Sequence, residues 1–460
     1  MLRKFIGDKA FYRKVIAVAI PILIQNGITH FVSLLDNIMV GQTGTVQMGG
    51  VSIVNQLLFI FNLAIFGISA GAGIFTAQFH GSKDQNSIRY TFRYRLMVST
   101  LISLLTIGIM LLFGNSLISL FLTGEGDPAD VAGILRHGRS YLLVMLIGLL
   151  PFALSNAYAG TLRECGQTVV PMVSGICAML TNLVLNWVLI FGHLGLPAMG
   201  VKGAAIATVI SRFVELAIVV VWAHTHKTKY PFIRGLYKSF RIPGNLLKPL
   251  ILKGAPMLLN EVLWSFAITV QSQCFSTCSL DVVGALNIVS TVNQLANVVV
   301  VALGTTIGIL IGQMLGASSP KEEVLTSNRQ LLGLSVVAGI LFGGFLMAIS
   351  GLFPKLYNTT DSVRHLATQM ILCLAMVKPF QAYAISSYYS LRSGGKTLIT
   401  FLFDTGTLWM TAVPLAFCLS RFTDMPIIPL YPICLLPDII KAFFGGILLR
   451  KVNWTQKLTK

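Results

Sequence analysis

The chain has 460 residues, 55% of them hydrophobic and 11% charged, with a mean hydropathy of +0.78. Soluble domains carry about 25% charged residues, so an ordinary water-soluble enzyme is excluded; a disordered chain, poor in hydrophobes and rich in charge, is excluded as well. The formal charge of +18, from 34 Lys and Arg against 16 Asp and Glu, reads as basic loops held at an anionic lipid surface rather than as a nucleic-acid partner.

At roughly 20 apolar residues per crossing, the chain has material for about a dozen membrane helices. Apolar runs lie at 15–40, 51–79, 96–122, 140–162, 168–192 and 203–224. Six more lie at 249–276, 284–315, 330–353, 366–391, 397–420 and 428–449. Basic residues precede the first run and no small-residue cleavage site follows it, so it reads as a membrane helix rather than a removed signal. The seven cysteines fall mostly inside apolar runs and indicate neither a disulfide framework nor a zinc knuckle. Between the sixth and seventh runs lies the longest polar stretch, His224 to Lys253, with seven Lys and Arg. It divides the chain into an N-lobe (1–224), a basic linker (225–247) and a C-lobe (248–460). With the N-terminus in the cytoplasm and twelve crossings, the cytoplasmic side collects 26 Lys and Arg and the outer side six. Arg212 and Lys378 remain at membrane depth. The bias places both termini in the cytoplasm.

An internal repeat supports the same division. AIPILIQ, from Ala19, lies on GAPMLLN, from Gly254, at a constant offset of 235 residues. Without a gap, Pro21 then meets Pro256, Asn62 meets Asn297, Gln78 meets Gln313 and Gly81 meets Gly316. PFALSNAYAGTLRECGQT, from Pro151, is similar to PFQAYAISSYYSLRSGGKT, from Pro379. Chance similarity of apolar helices explains scattered Leu and Ile matches, not aligned Pro, Gly, Gln and Asn. Six helices per copy is an even number, so both copies enter the membrane from one side and are related by an axis along its normal. The expected fold is an all-α membrane protein of twelve transmembrane helices in two six-helix lobes, with a substrate cleft between them near the midplane.

Four stretches carry a family resemblance: LLDNIMVGQTG in the first helix, LRECGQT after the fourth, NLVLNWVLIFGHLGLPAMGVKGAAIATVISR over the fifth and sixth, and GAPMLLNEVLWS opening the seventh. Together they resemble the multidrug and toxic compound extrusion (MATE) family over essentially the whole chain. The resemblance implies a cytoplasmic-membrane exporter, expected to act as a monomer, that exchanges Na⁺ or H⁺ for small organic, often cationic substrates and needs no cofactor beyond the coupling ion.

Ionisable groups at membrane depth are costly and are functional candidates by default. Asp36 has no basic residue within a turn or two, so it faces a cavity, a cation or a proton, unless it is a carboxyl near the outer end of its helix. Asn182 and Asn186 share a helix face and read either as oxygen ligands for a hard monovalent cation or as helix–helix hydrogen bonders. The resemblance implies a cation site of Asp36, Asn182, Asn186, Tyr141 and Thr208, with Asp36, Asn182 and Asn186 the ligands if the ion is Na⁺. Many relatives carry aspartate at the position of Asn186, so one carboxylate remains and the choice of ion stays open.

In the C-lobe, Glu261 follows Pro256 by just over a turn, and Trp264 at i+3 adds an aromatic face suited to organic cations. The resemblance implies ion coupling or cation binding for Glu261; neutralisation by Lys253 is the other reading. Relatives with a second acidic residue in this lobe have an aspartate where this chain has Gln381, one turn after Lys378. Lys378 reads as a partner for Glu261 or Asp404, or as a receptor for an anionic group. Gln271, Gln273, Asn293, Gln294 and Asn297 read as cleft lining or interhelix glue. Arg212 with Glu215, and Asp438 with Lys441, are spaced as ion pairs.

The chain has no GxxxxGKS or GxxxxGKT phosphate loop, nucleophile–base set or metal-ligand cluster, so neither an ATP-driven pump nor an enzyme is expected. The reading is a secondary antiporter exporting amphipathic, mostly cationic compounds by alternating access. The alternative is a flippase for lipids or lipid-linked saccharides, which would need several basic residues in its cleft where this chain offers Lys378. The charge bias predicts that Ser239→Cys, in a cysteine-free background, is protected from impermeant thiol reagents in intact cells. Ready labelling from outside would overturn the twelve-crossing topology.

Overall fold

The computed structural model describes residues 6–122, 128–357, 359–423 and 425–458, apart from the side chains of Ser33, Leu34 and Leu280. Of the charges counted for topology, Arg3, Lys4 and Lys460 lie outside the described residues. Twelve helices among those residues are long and apolar enough to cross a membrane. In chain order they are α1 Lys9–Gly41, α2 Thr45–Gly81, α3 Gln85–Ser119, α4 Pro128–Glu164, α5 Val169–Phe191 and α6 Val201–Thr225. Then come α7 Gly244–Ser276, α8 Leu280–Gly316, α9 Lys321–Ile349, α10 Asp361–Ser393, α11 Thr397–Phe422 and α12 Ile427–Lys451. No strand is present among the described residues. The helices start at local signals: Asp84 accepts from the Asn86 and Ser87 amides at 3.1 Å to cap α3, and Thr360 accepts from Val363 at 3.4 Å at the start of α10. Gly192, with φ +78°, ends α5 in the left-handed region. In α11 the helical ladder widens to π-helix over Leu402–Gly406 and Leu408–Ala412, a distortion that marks functional sites more often than chance.

The helices form two compact units. The N-unit comprises Ile24–Thr76 and Asp84–Ile251; the C-unit comprises Met1–Leu23, Ala77–Lys83 and Leu252–Lys460. Helix α1 changes unit just after Pro21, where the backbone lacks a hydrogen-bond donor.

In the N-unit, α2 and α4 cross backbone to backbone. A Cβ added to Gly50 would stand 2.6 Å from the Gly138 nitrogen, the small-residue crossing expected where helices pack without water. The fully buried Arg95 of α3 ties the same layer together, bonding Glu164 of α4 at 2.7 Å and the Ser69 carbonyl of α2 at 2.8 Å.

In the C-unit, α8 and α10 pack through Val289, Ala367, Ile371 and Leu374, all at most 3% exposed. The segment after α12 folds back, with Trp454 at 1% exposure and its indole N–H donating to the Leu449 carbonyl at 3.1 Å. Gln78, at the end of α2, donates to the Ser393 carbonyl at 2.9 Å and accepts the Leu458 amide at 2.7 Å. The repeat is visible in this unit as a reciprocal contact. A Cβ on Gly81 would strike the Gln313 carbonyl, and one on Gly316 would strike the Gln78 carbonyl, so the two pairs matched by the 235-residue offset face each other.

A larger side chain at that crossing must push backbones apart. Gly316→Leu is expected to lower stability by about 1–3 kcal/mol through overpacking, read as a lower thermal midpoint in detergent. Gly344→Leu, whose Cβ meets nothing within 4 Å, is expected to leave the midpoint unchanged. Equal losses at both positions would refute the close crossing.

Candidate ion and substrate site

Each unit contains a polar cluster inside its helices. In the N-unit, Asp36 of α1 meets two asparagines of α5 and a threonine of α6. Asn186 Nδ2 donates to Asp36 Oδ1 at 2.5 Å and to Asn182 Oδ1 at 3.0 Å, and Asn182 Nδ2 donates to Thr208 Oγ1 at 3.2 Å. Asn182 and Asn186 are 3% and 1% exposed, the one-face spacing of α5 having turned both inward. Asn186 Oδ1 is buried and has no hydrogen-bond partner. An orphaned amide oxygen beside a carboxylate is costly in an apolar interior, and it is the acceptor arrangement that a proton donor or hard cation satisfies. Arg212 is the cation whose charge reaches Asp36, but its guanidinium pairs with Glu215 at 3.4 Å and lies 4.6 Å from the Phe152 ring centroid.

Tyr141 stands beside this cluster without a hydrogen bond to it; its hydroxyl donates to Asn55 Oδ1 of α2 at 3.3 Å. Asn55 was missed by sequence reasoning, since a lone asparagine in a long apolar run carries no spacing signal.

The C-unit cluster centres on the π-helical turn of α11. Asp404 Oδ1 accepts from Lys441 Nζ of α12 at 2.7 Å, and its Oδ2 accepts from Asn260 Nδ2 of α7 at 3.2 Å. Thr405 Oγ1 donates to Asn260 Oδ1 at 2.8 Å. Beside these, Gln381 Nε2 of α10 donates to Asp438 Oδ2 at 2.6 Å. Lys378, at 1% exposure, donates to Asn293 Oδ1 at 2.6 Å and Asn297 Oδ1 at 2.9 Å on α8.

Two pairings expected from sequence are corrected here. Lys441 bonds Asp404 rather than Asp438: its ammonium reaches the carboxylate of the neighbouring α11, which would otherwise lie half-buried with only a neutral amide donor, and Asp438 accepts from Gln381. Lys378 bonds neither Glu261 nor Asp404; amide oxygens of α8 hold its ammonium. Asn260 and the role of Asp404 were also missed. The repeat offset contained a signal for Asn260, which stands where the first copy has Gln25, itself an acceptor for Arg163 at 3.3 Å.

Among the described residues, none is hydrogen-bonded to Glu261, and the charges that act on it come from Arg392 and Asp404 rather than Lys253. Trp264 is 38% exposed and Gln271 half-buried, and neither bonds Glu261. Among the described residues of the C-unit's polar cluster, Glu261 is thus the carboxylate without a hydrogen bond, whereas Asp404 and Asp438 are committed to neighbours.

Comparison with known proteins places this geometry in context. The family model described as MatE matches residues 21–188 and 256–418. The "Probable multidrug resistance protein NorM" of Thermotoga maritima is 22% identical over 428 residues, covering 93% of this chain and 89% of the relative. Its namesake from Bacillus licheniformis is 26% identical over 436 residues, covering 92% and 91%. Among solved structures, the Vibrio cholerae MATE transporter VcmN in its bent form superposes with a TM-score of 0.83 at 18% identity, covering 96% of this chain and 97% of that one. The helical fold, with twelve membrane-length helices among the described residues, is therefore shared with that solved transporter.

The C-unit ion pair yields a stability prediction. Its side chains are 7% and 25% exposed, and removing one member of such a pair strands a charge at a cost of about 3–5 kcal/mol. Lys441→Met is expected to show that loss in chemical unfolding, and Asp404→Asn with Lys441→Met to recover most of it. A double variant as unstable as the single one would show that the pair's charges do not set the cost.

Proposed function

The chain belongs to the MatE family of multidrug efflux transporters, and from that premise we propose that it is a cation-coupled antiporter exporting amphipathic, mostly cationic organic compounds by alternating access. The observation that carries the coupling half is the Asp36–Asn186–Asn182–Thr208 cluster. It holds one carboxylate, an unsatisfied amide oxygen and no hydrogen-bonded cation among the described residues. Its deficit is one positive charge, which one H⁺ or one Na⁺ supplies; with Na⁺ the ligands are oxygens of Asp36, Asn182 and Asn186. Tyr141 lies close enough to sense the charge of Asp36 and, with Thr208, frames the site.

For substrate, we assign Glu261 as the counter-charge, since its carboxylate has no hydrogen-bond partner among the described residues, with Trp264 supplying an aromatic face and Gln271 polar lining. Lys378, held by neighbouring amides, opposes positive charge on the ligand, and Gln381 is neutral and adds no second counter-charge. Both buried lysines of the C-unit are occupied, Lys441 by Asp404 and Lys378 by two asparagines. A flippase would need such cations free for a pyrophosphate, so this arrangement favours the antiporter. The charge bias supports cytoplasmic termini and insertion in the cytoplasmic membrane.

Ethidium efflux from reconstituted vesicles under separately imposed Na⁺ and proton gradients tests the reading. Asp36→Asn is expected to abolish gradient-driven efflux while expression and folding stay near normal; retention of more than about half the activity would sink the coupling role. Glu261→Gln is expected to weaken binding of a cationic dye far more than that of a neutral analogue, and equal losses would make that residue structural.

A further inference from the structure

We propose that the linker between α6 and α7 holds one anionic phospholipid, its phosphate in a basic cavity and an acyl chain in an adjoining apolar groove. The cavity has a volume of about 570 Å³ and is lined by His224, Lys227, Arg234, Tyr237 and Lys238 among others. The groove, about 330 Å³, is lined by Tyr94, Met97 and Val98 of α3 together with Phe240, Ile242 and Ile251. Lys238 closes one lining and Phe240 opens the other, with only Ser239 between them in sequence.

The charge in the cavity has no internal counterpart. Residues 224–253 contain seven Lys and Arg and no Asp or Glu. Among the described residues, no carboxylate pairs with Lys227, Arg234 or Lys238. Arg234 spends its Nε on the Lys227 carbonyl at 3.1 Å, which leaves both terminal nitrogens for a bidentate contact with phosphate.

The cavity wall is fixed before any ligand arrives. From α3, Arg93 donates to the carbonyls of Leu236 and Gly235, both at 2.7 Å, and Arg89 donates to that of Phe232 at 3.1 Å. Phe232 and Leu236 are buried, at 2% and 1% exposure. Tyr237 stacks on His224 at 15° between ring planes and is hydrogen-bonded to Tyr158.

Free phosphate would account for the cations but not for the groove. Phe240 and Ile251 are 54% and 50% exposed, and apolar side chains that follow a basic cavity's residues in the linker, in a chain read as crossing a membrane, match a headgroup with its chain. Lipid binding would hold the linker against the anionic leaflet, a role separate from the ion and substrate clusters.

The test uses the full-length protein in neutral detergent, titrated with dioleoyl phosphatidylglycerol or dioleoyl phosphatidylcholine and read by native mass spectrometry. One phosphatidylglycerol is expected to bind per chain, at least about tenfold more tightly than phosphatidylcholine, as three converging cations imply. Lys227→Gln with Arg234→Gln and Lys238→Gln is expected to remove that preference, and Phe240→Ser to weaken the bound lipid without removing the charge. Among the described residues, the side chains of these three cations make no hydrogen bond or ion pair beyond the Arg234 bond, and an unchanged thermal midpoint would verify that the variant folds. An equal loss in the control Lys321→Gln with Arg329→Gln, on a different loop, would reduce the effect to diffuse attraction and overturn the proposal. Glycerol 3-phosphate competing as well as the lipid would overturn the acyl-chain half.

Discussion

Hydrocarbon offers no hydrogen bonds, and the rest of the structure depends on that constraint. Every backbone group must be satisfied within its own segment, so the described residues form twelve membrane-length helices, with one longer connection between Thr225 and Gly244. The same solvent leaves polar side chains to bond backbone carbonyls or one another. Asp36 therefore sits against Asn186, Asp404 against Lys441 and Arg95 against Glu164. Without a hydrophobic force between helices, close approach decides packing, and glycines stand where backbones touch, as at Gly50 and Gly138.

The architecture was legible because it follows from this constraint. Each apolar run of the sequence falls mainly on one helix, and apart from α5 the helices are longer than the runs: the run at 140–162 sits within Pro128–Glu164. The extra turns carry polar residues such as Arg136 and Arg139, which hydropathy ends a span at but helix geometry does not. The repeat was equally legible, since Gly81 and Gly316 proved to be each other's neighbours' contacts. The side-chain partners were not. Spacing along α12 put Asp438 and Lys441 on adjoining faces, yet which one meets Asp404 depends on how α11 and α12 are registered. Nor did any residue in LFDTGTLWMTA announce two π-helical stretches, because a π-turn is set by neighbours that tolerate the extra residue rather than by local propensity.

The repeat also shows where the halves have diverged. At the 235-residue offset, Asn260 answers Gln25 and both anchor a neighbouring element. Glu261 answers Asn26, and Gln271 answers Asp36. Each half thus keeps a carboxylate in its first helix, but at positions ten residues apart in the aligned copies. A helix advances 1.5 Å per residue, so the two carboxylates differ by roughly 15 Å along their helices. The scaffold is duplicated and the charge is not.

That asymmetry bears on the proposed cation coupling. Asp404 is satisfied twice, by an ammonium and an amide, and freeing it would strand Lys441 in the interior. Asp438 accepts a strong hydrogen bond from Gln381. An ion that displaced either would have to repay those contacts. Asp36 presents the opposite case: its hydrogen-bonded neighbour is a neutral amide, and that amide leaves an oxygen unpaired. Binding a cation at Asp36 adds interactions without breaking a charge pair, and releasing it exposes only one carboxylate to be carried by Asn186 until the next cation arrives. A site that gains and loses a charge repeatedly needs both steps to be shallow. Of the three aspartate clusters at Asp36, Asp404 and Asp438, the Asp36 cluster meets that requirement best, in keeping with the proposed coupling role in the N-unit, while the Asp404–Lys441 pair holds α11 and α12 together.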